Sequence, residues 1–481
     1  MSEVLQPDLC VIGAGSAGLS VAAIAASFGV PVVLIERARM GGECLNTGCV
    51  PSKALIAAGE RRHAAEAAAA FGALPPLLLP SADFSHVRDH IRSVIAAIAL
   101  NDSQERYTAM GVMVLRDSAR FTDAQTVEAG SRTIRARRFV IATGSQPAVP
   151  RIPGLEAVPY LTNETIFDVA ERPARLVVIG GGPVGVEIAQ AFHRLGTPVI
   201  IVEAEPRLLP RDDPELAGVV ERTLMREGIS LRLGMAIERA EMRNGNVALI
   251  LSRDGREESL EGSHLLVATG RRSVVDDLGL EAAGILHDRT GITVDRGLRT
   301  TNRRVYAIGD VAGGLAAAFR FTHAASHQAG LVIRNALFRL PVRVDDAPMP
   351  RVTYTDPELA SVGLSEEDVR AKRRSFRILR WTFAENDRAQ AERETAGLVK
   401  AIVTPRGRIL GCGIAGARAG ELITPWTLAI AKGLKVQDLA ALVVPYPTFS
   451  EVTKRAAVEF IRPAAQSAWA RRAINLVRRL G

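Results

Sequence analysis

Residues 9–36 of the chain read LCVIGAGSAGLSVAAIAASFGVPVVLIE, and no charged side chain occurs in this run before Glu36. The run is long enough to resemble a membrane span. Three glycines interrupt its start, however, and Gly29-Val30-Pro31 interrupts its end, so it divides into strand, glycine turn, helix, loop and strand. We therefore predict a buried βαβ unit, which indicates an α/β fold.

The glycine turn has the spacing of a dinucleotide-binding loop. Gly13 allows a tight turn after the strand, Gly15 lets the backbone approach a pyrophosphate, and Gly18 lets the helix pack on the strand. Glu36 follows the next strand, where a carboxylate can accept hydrogen bonds from ribose hydroxyls. A glycine pattern alone is weak evidence, but strand, helix and acidic residue occur together here, and we predict a first dinucleotide site.

The same pattern returns in residues 176–203. An apolar strand leads into GGGPVG, a helix and a second strand follow, and an acidic residue ends the unit. The predicted binding residues are Gly180, Gly182, Gly185 and Glu203. Glu203 would repel a 2′-phosphate and bind a free 2′-hydroxyl, and no arginine follows it before Arg207, so NADH is favoured over NADPH. Two dinucleotide sites imply two cofactors in two Rossmann-like domains.

Residues 41–53, GGECLNTGCVPSK, directly follow the first βαβ unit and hold two of the four cysteines. A bridge between Cys44 and Cys49 would close a very short ring, and strained, accessible bridges of this kind are labile and catalytic. Gly42 and its glycine neighbours let the backbone bend, and a helix beginning near Cys49 would favour a thiolate there. The alternatives are ordinary thiols or half of a zinc site, but no second cysteine pair or histidine cluster supports zinc. Since a flavin can exchange electrons with a disulfide, we predict FAD at the first site and a nicotinamide at the second.

The composition is that of a large globular protein. With 481 residues and 47% hydrophobic content, the chain can bury several cores, and its length suggests about three domains. The 60 basic and 52 acidic residues leave a diffuse net charge of +8, and no basic run with interleaved aromatic residues indicates nucleic-acid binding. The cysteines form no secreted framework and no signal segment is evident, so we expect a cytoplasmic protein.

At this point the sequence resembles the FAD-dependent pyridine nucleotide-disulfide oxidoreductases, in particular the branch of lipoamide dehydrogenase and mercuric reductase. The resemblance covers nearly the whole chain. Besides the glycine loops and the cysteine segment, five short motifs occur in the family's order: residues 142–144 (ATG), 268–271 (ATGR), 306–310 (YAIGD), 355–358 (TDPE) and 420–423 (GELI). Each motif is weak alone, but their shared order is specific.

The resemblance implies a domain organisation and a set of site residues. Residues 1–147 and 272–346 would form the FAD-binding domain, 148–271 the NAD-binding domain, and 347–460 an α+β domain that forms a homodimer. The family's FAD and crossover motifs place Thr143, Gly144, Gly270 and Asp310 at the cofactors, with Asp310 near the ribityl and phosphate region. Lys53 would pair with Glu187 near the flavin. Cys49 would be the thiolate nearest the flavin, and Cys44 would be the thiol that meets substrate.

One part of the family pattern is missing. The C-terminal domain usually supplies His-Pro-Thr and a following Glu as an acid/base pair, but here Tyr446 stands at the histidine position, Glu451 follows, and no histidine occurs after His327. A tyrosine, with an ordinary pKa near ~10, is a poor base at neutral pH. Mercuric reductases resemble the chain at this point, since a thiolate-bound soft metal needs no proton shuttle. Against that alternative, Cys412 is the last cysteine, so their C-terminal cysteine pair is absent.

Residues 461–481 form a basic, amphipathic tail. Four arginines lie on one side of a helical wheel, and Trp469, Leu476, Val477 and Leu480 lie on the other, so contact with an anionic membrane surface competes with packing on the protein's own dimer. Our first hypothesis is thus an NADH-dependent flavoenzyme acting on a small thiol or disulfide through Cys44 and Cys49. The alternatives are a mercuric-type metal reductase and an electron-transfer or redox-sensing flavoprotein at the inner membrane surface.

Overall fold

The structure is a computed structural model that describes residues 3–73, 75, 79–314, 319–345, 347–372 and 375–479. The chain divides into two compact units. Unit 1 comprises Met1–Gly180, Ala191–Val199 and Ile237–Val344, and unit 2 comprises Gly181–Gln190, Ile200–Ala236 and Asp345–Gly481. The predicted limits of the FAD, NAD and dimerisation domains stay a prediction.

A five-stranded parallel sheet forms the centre of unit 1. Its strands occur in the order Val305–Ala307, Arg138–Ile141, Leu9–Ile12, Val32–Ile35 and Val112–Leu115. The helix Ser16–Ser27 connects the third strand to the fourth, and all residues of both strands are buried. The predicted βαβ unit is confirmed, because the uncharged run is a sheet centre covered on both faces.

The carboxyl ends of these strands meet at one edge of the sheet. Gly13 N donates to Ile35 O at 2.8 Å, Ala142 N to Ile12 O at 2.8 Å, and Ile308 N to Ile141 O at 3.1 Å. The strand Leu9–Ile12 also lies where the order of strands reverses, the position at which open α/β sheets bind ligands. The segments that follow the strands, which carry the predicted FAD motifs, are therefore neighbours.

Unit 1 contains further strands and helices outside this sheet. Its further strands are Glu3–Leu5, Ala119–Phe121, Val127–Ala129, Arg132–Ile134, Ser145–Pro147, Leu176–Ile179, Ala236–Arg243, Asn246–Arg253, Arg256–Gly262, His264–Val267, Arg271–Ser273, His287–Asp288 and Gly291–Ile292. Its further helices are Gly42–Asn46, Cys49–Ala67, Phe84–Ala99, Gln104–Ala109 and Thr322–Ala336, with short 3₁₀ turns at Ala68–Phe71, Leu100–Asp102, Leu155–Ala157, Ile166–Asp168 and Gly309–Val311. The helix Pro183–Arg194 runs from unit 2 into unit 1.

Unit 2 contains a parallel strand pair and a five-stranded antiparallel sheet. The parallel pair is Val199–Glu203 with Ser230–Leu233. The antiparallel sheet has the order Arg351–Thr353, Glu358–Gly363, Ile409–Gly416, Leu398–Val403 and Arg377–Thr382. Its core includes Cys412, at 3% exposure, while Cys10 is fully buried in the sheet of unit 1. The predicted α/β fold with a C-terminal α+β part is confirmed.

Several helices of unit 2 pack on this sheet, and the last two lie in the tail. They are Pro214–Glu227, Glu366–Ala371, Asp387–Glu392, Ala419–Leu422, Thr424–Lys432, Val436–Ala440, Glu451–Val458, Arg462–Ala465 and Ala468–Val477, with a 3₁₀ turn at Phe383–Glu385. The tail thus contains two short helices, and Leu480 lies outside the described residues. Within the described part of the chain, none of the helices combines the length and the apolar character needed to cross a membrane.

Candidate active site

The first glycine loop leaves room for backbone only. Gly13 has φ +103°, and a Cβ placed on it would lie 2.4 Å from Ala142 O. A Cβ on Gly18 would lie 1.8 Å from Gly13 O. The helix Ser16–Ser27 starts directly after Gly15, and no side chain caps it. Its first amide groups therefore remain available to a pyrophosphate, and the loop fits FAD.

The residues predicted around this loop lie at the same edge of the sheet. Glu36 accepts from Ala14 N at 2.6 Å and from Ala38 N at 2.7 Å, which fixes its carboxylate beside the loop. Thr143 donates to Val274 O at 2.7 Å, and Asp310 accepts from the Ser145 hydroxyl at 2.5 Å. The remaining predicted positions here are Gly15, which pairs with Gly41, and Gly144, with φ +73°.

The second glycine loop has the same local geometry as the first, both in its residues of unit 1 and in its residues of unit 2. Gly180 has φ +110°, and a Cβ on it would lie 2.5 Å from Ala268 O. In unit 2, Glu203 accepts from Gly181 N at 2.6 Å and from Glu205 N at 2.9 Å. Three further residues were predicted for this site. Gly182 directly precedes the helix Pro183–Arg194, Gly185 lies in its first turn, and Gly270 has φ +139°. The acidic residue again sits against the loop, as a ribose-binding carboxylate requires.

The two redox cysteines face one another across a short helical turn. Cys44 lies in the helix Gly42–Asn46, and Cys49 is the first residue of the helix Cys49–Ala67, as the sequence predicts. Both are free thiols here. The Thr322 hydroxyl lies 3.1 Å from Cys44 Sγ and 3.4 Å from Cys49 Sγ, so one hydroxyl serves both sulfurs.

The two sulfurs differ in proton affinity. The pKa of Cys49 is lowered to about 6, chiefly because Cys44 donates a hydrogen bond to it, with further contributions from Thr322 and the charge of Lys53. The pKa of Cys44 is raised, chiefly by the same hydrogen bond and by burial. The reduced pair therefore holds its thiolate on Cys49 and its proton on Cys44 at neutral pH.

A charged network that the sequence did not reveal links the redox segment to the predicted FAD residues. Glu43 forms an ion pair with Arg271 and accepts from Asn163 Nδ2 at 2.9 Å. Arg271 also donates to the Ser145 hydroxyl at 2.8 Å and lies 3.8 Å from Asp310. The pKa of Glu43 is raised to about 7, chiefly by burial.

The predicted Lys53–Glu187 pair joins residues of the two units and stays a prediction. Lys53 lies in the first half of the helix Cys49–Ala67, and its charge acts on Cys49. Glu187 is buried in unit 2, at 6% exposure, and accepts from Tyr354 N at 2.8 Å.

Tyr446, at the C-terminal acid/base position, has a hydrogen-bond partner that the sequence did not predict. The Tyr446 hydroxyl donates to Asp387 Oδ2 at 2.8 Å, and this hydrogen bond raises the pKa of Tyr446. Glu451 begins the helix Glu451–Val458 and adds to the same shift through its charge. The phenol therefore keeps its proton at neutral pH, as its ordinary pKa already suggests.

Glu43, Thr322 and Asp387 were not predicted as site residues. The first two had a signal in the sequence, and Asp387 had none. Glu43 is the only charged residue between Arg39 and Lys53, in a segment that is otherwise small or apolar. Thr322 is the first residue with a side-chain hydroxyl after the motif at residues 306–310. Asp387 lies 59 residues from Tyr446, and no local pattern connects them.

The chain is similar to known proteins over most of its length. Residues 7–329 match the family described as pyridine nucleotide-disulphide oxidoreductase, and residues 349–457 match its dimerisation domain, which supports a homodimer. A mercuric reductase of Streptomyces lividans is 36% identical over 468 residues, covering 95% of this chain and 97% of that protein. A dihydrolipoyl dehydrogenase of Thermus scotoductus is 36% identical over 469 residues, covering 94% and 96%.

A solved structure shares the fold over nearly the full length. The HOCl-induced flavoprotein disulfide reductase RclA from Escherichia coli aligns with a TM-score of 0.83 and 27% identity, covering 94% of this chain and 99% of that one.

Proposed function

The chain belongs to the pyridine nucleotide-disulphide oxidoreductases, FAD-dependent enzymes that use NAD(P)H, and we propose that it passes electrons from NADH to the Cys44–Cys49 pair and on to a small thiol or disulfide substrate. The observation that carries the proposal is the cysteine pair itself. A thiolate on Cys49, at a helix start, and a protonated Cys44 beside it form a polarised dithiol.

Residues of this chain would bind FAD, and the Cys44–Cys49 pair would accept its electrons. When bound, FAD supplies a two-electron carrier between a nicotinamide and a disulfide. The glycine loop and the start of the helix Ser16–Ser27 would hold its pyrophosphate, and Glu36 its ribose. After reduction, Cys44 would attack the substrate sulfur, while Thr322 and Lys53 keep the charge of Cys49 stabilised. We keep the Lys53–Glu187 pair as part of this proposal.

The preference for NADH rests on the second site. The Glu203 carboxylate lies at the loop amide of Gly181, where a 2′-phosphate would meet a negative charge. Arg207 does not offset that charge at the loop, because it donates to Pro210 O at 2.6 Å and to Asp212 O at 3.0 Å. Steady-state kinetics with both nucleotides test this point, and a lower KM for NADPH than for NADH would contradict it.

The nature of the substrate rests on Tyr446. Because its phenol keeps its proton and donates it to Asp387, this position is a poor base for a substrate thiol. Lipoamide turnover should then be inefficient. A mercuric-type metal substrate is the second candidate, since a soft metal held by thiolates needs no proton shuttle. The buried Cys10 and Cys412 offer no further thiolate for it, which favours the thiol or disulfide class.

The deciding experiment is an anaerobic NADH titration followed by a substrate panel. Lipoamide, glutathione disulfide, Hg²⁺ and a quinone are each tested with wild type, Cys44→Ser and Tyr446→His. We expect disulfide turnover to vanish in Cys44→Ser and lipoamide turnover to rise in Tyr446→His. Full disulfide turnover by Cys44→Ser would overturn the proposal, whereas surviving quinone turnover alone would favour the electron-transfer alternative.

For the tail we propose contact with an anionic membrane surface by an otherwise cytoplasmic protein. In the helix Ala468–Val477, Trp469 is 78% exposed and Leu476 is 63% exposed, and no acidic residue follows Glu459. An exposed apolar side with arginines opposite matches a negatively charged lipid surface. Co-sedimentation with anionic and neutral vesicles tests it. Equal pelleting of the full chain and a version ending at Ser467 would instead assign the tail to the dimer.

A further inference from the structure

Glu43 brings a carboxyl group into the redox segment itself. It directly precedes Cys44, and its side chain folds back over Gly48, where an added Cβ would lie 3.4 Å from Glu43 Oε1. Asn163 holds it there by donating to Glu43 Oε1 at 2.9 Å and to Thr47 O at 3.1 Å. The carboxyl group is thus fixed between the two cysteines' backbone segments.

The charges around Glu43 are not balanced once the cysteines are reduced. Arg271 is the cation that contacts it, and Arg271 also faces Asp310 at 3.8 Å. Two carboxylates therefore share one guanidinium. Reduction adds a thiolate on Cys49, whose charge acts on Glu43, and Lys53 offsets part of that charge. A further negative charge in this partly buried cluster favours uptake of a proton.

We propose that Glu43 takes up one proton from solvent when the Cys44–Cys49 disulfide is reduced, and that it holds this proton for the following thiol chemistry. The inference rests on the proposed function. NADH gives up a hydride, which is two electrons and one proton. The two electrons break the S–S bond, the proton goes to Cys44, Cys49 becomes a thiolate, and a solvent proton binds Glu43, leaving NAD⁺.

The other titratable groups considered for this proton are weaker candidates. Asp310 already has two polar partners, because it accepts from the Ser145 hydroxyl and faces Arg271 at 3.8 Å. Tyr446 is already protonated and donates to Asp387. No histidine occurs in residues 328–481, so the dimerisation domain offers no imidazole. The raised pKa of Glu43, about 7, matches a group that changes its protonation near neutral pH.

The test is a count of protons and thiols on reduction of the FAD-loaded enzyme. Oxidised enzyme receives one equivalent of NADH in weak buffer with a pH indicator dye, and alkylation then counts the new thiols. At pH 7 a group with a pKa of about 7 in the reduced enzyme is half protonated, so wild type should take up more protons per pair than Glu43→Gln, by at most about half a proton. Asp102→Asn, which removes another carboxyl with a raised pKa, should behave as wild type.

The outcomes separate the two proposals. Equal proton uptake by wild type and Glu43→Gln, with new thiols formed in both, overturns the role of Glu43 alone. Absence of new thiols overturns the proposed function as well. If Glu43→Gln does not bind FAD, infrared difference spectra of wild type decide: a carboxylic-acid C=O band should appear on reduction at about pH 7 and not at about pH 9, and its absence at both overturns the inference.

Discussion

Replacing Thr322 by Val should raise the pKa of Cys49. The Thr322 hydroxyl lies within hydrogen-bond distance of both sulfurs, at 3.1 Å from Cys44 Sγ and 3.4 Å from Cys49 Sγ. This hydroxyl has one hydrogen, and once Cys49 is a thiolate the hydroxyl donates that hydrogen to the charged sulfur. Valine has nearly the same shape and no hydroxyl, so the substitution removes one donor and leaves the packing.

The size of the effect follows from the value of a charged hydrogen bond. Such a bond contributes about 1.5–3 kcal/mol, and 1.36 kcal/mol corresponds to one pKa unit, so the pKa should rise by roughly one to two units. Solvent near Cys49 favours the lower end. Starting from a pKa of about 6, the thiolate fraction at pH 7 is about nine-tenths and should fall to between about half and a tenth.

The assay is the pH dependence of alkylation. Reduced enzyme reacts with iodoacetamide from about pH 5 to about pH 9, and peptide mass spectrometry reports modification of Cys49 separately from Cys44. Thr322→Ser is the matched control, because it keeps the hydroxyl and should keep the wild-type midpoint. Coinciding midpoints for Thr322→Val and wild type would refute the assignment of Thr322 as a donor to the thiolate.

Three further outcomes are expected from other parts of the chain. Gly13→Ala should lose bound FAD, measured by flavin absorbance per chain, because the added Cβ would lie 2.4 Å from Ala142 O, whereas Gly330→Ala meets open space and should retain it. Lys400→Met should lower the free energy of unfolding by about 3–5 kcal/mol in urea titrations, since the 5% exposed ammonium neutralises Asp213, Glu215 and Glu366, while the exposed Lys432→Met should not. Because the pKa values of Glu215 and Glu366 are lowered, this stabilisation is present above their ordinary value of 4.5 and is lost as the pH falls through the lowered values. Asp387→Ala should lower the pKa of Tyr446 in ultraviolet titrations read against Tyr446→Phe.

The features predicted from sequence are those that neighbouring residues decide. The glycines of residues 9–36 break an apolar run at positions where backbone must turn or approach closely, so they define the βαβ unit without further context. The helix start at Cys49 follows in the same way from Gly48 before it and Pro51 inside its first turn.

The partners of the site residues could not be predicted in this way. Thr322 and Cys44 are separated by 278 positions, and Arg271 and Glu43 by 228. Thr322 and Cys44 meet because the segments that follow the parallel strands Val305–Ala307 and Val32–Ile35 converge at one sheet edge, whereas Arg271 lies in the strand Arg271–Ser273, which pairs with Ser145–Pro147. The residue that faces each sulfur or carboxylate then depends on the path of loops without periodicity. The identity of Arg271 was visible within a motif, but its contact with Glu43 was not.

The proton held by Glu43 gives the two substrate classes different requirements. Reduction of a disulfide by NADH consumes one solvent proton and produces two thiols, and a reduced enzyme with Cys44 as thiol and Glu43 protonated holds the two protons they need. Reduction of Hg²⁺ to Hg⁰ by NADH releases one proton instead, so the proton on Glu43 has no use there. Glu43→Gln should therefore slow turnover of a disulfide most at and below about pH 7, where wild-type Glu43 holds its proton, and the difference from wild type should shrink as the pH rises. Metal turnover should be unchanged. Equal losses with both substrates in stopped-flow turnover would show that Glu43 acts on reduction of the enzyme and not on the substrate thiols.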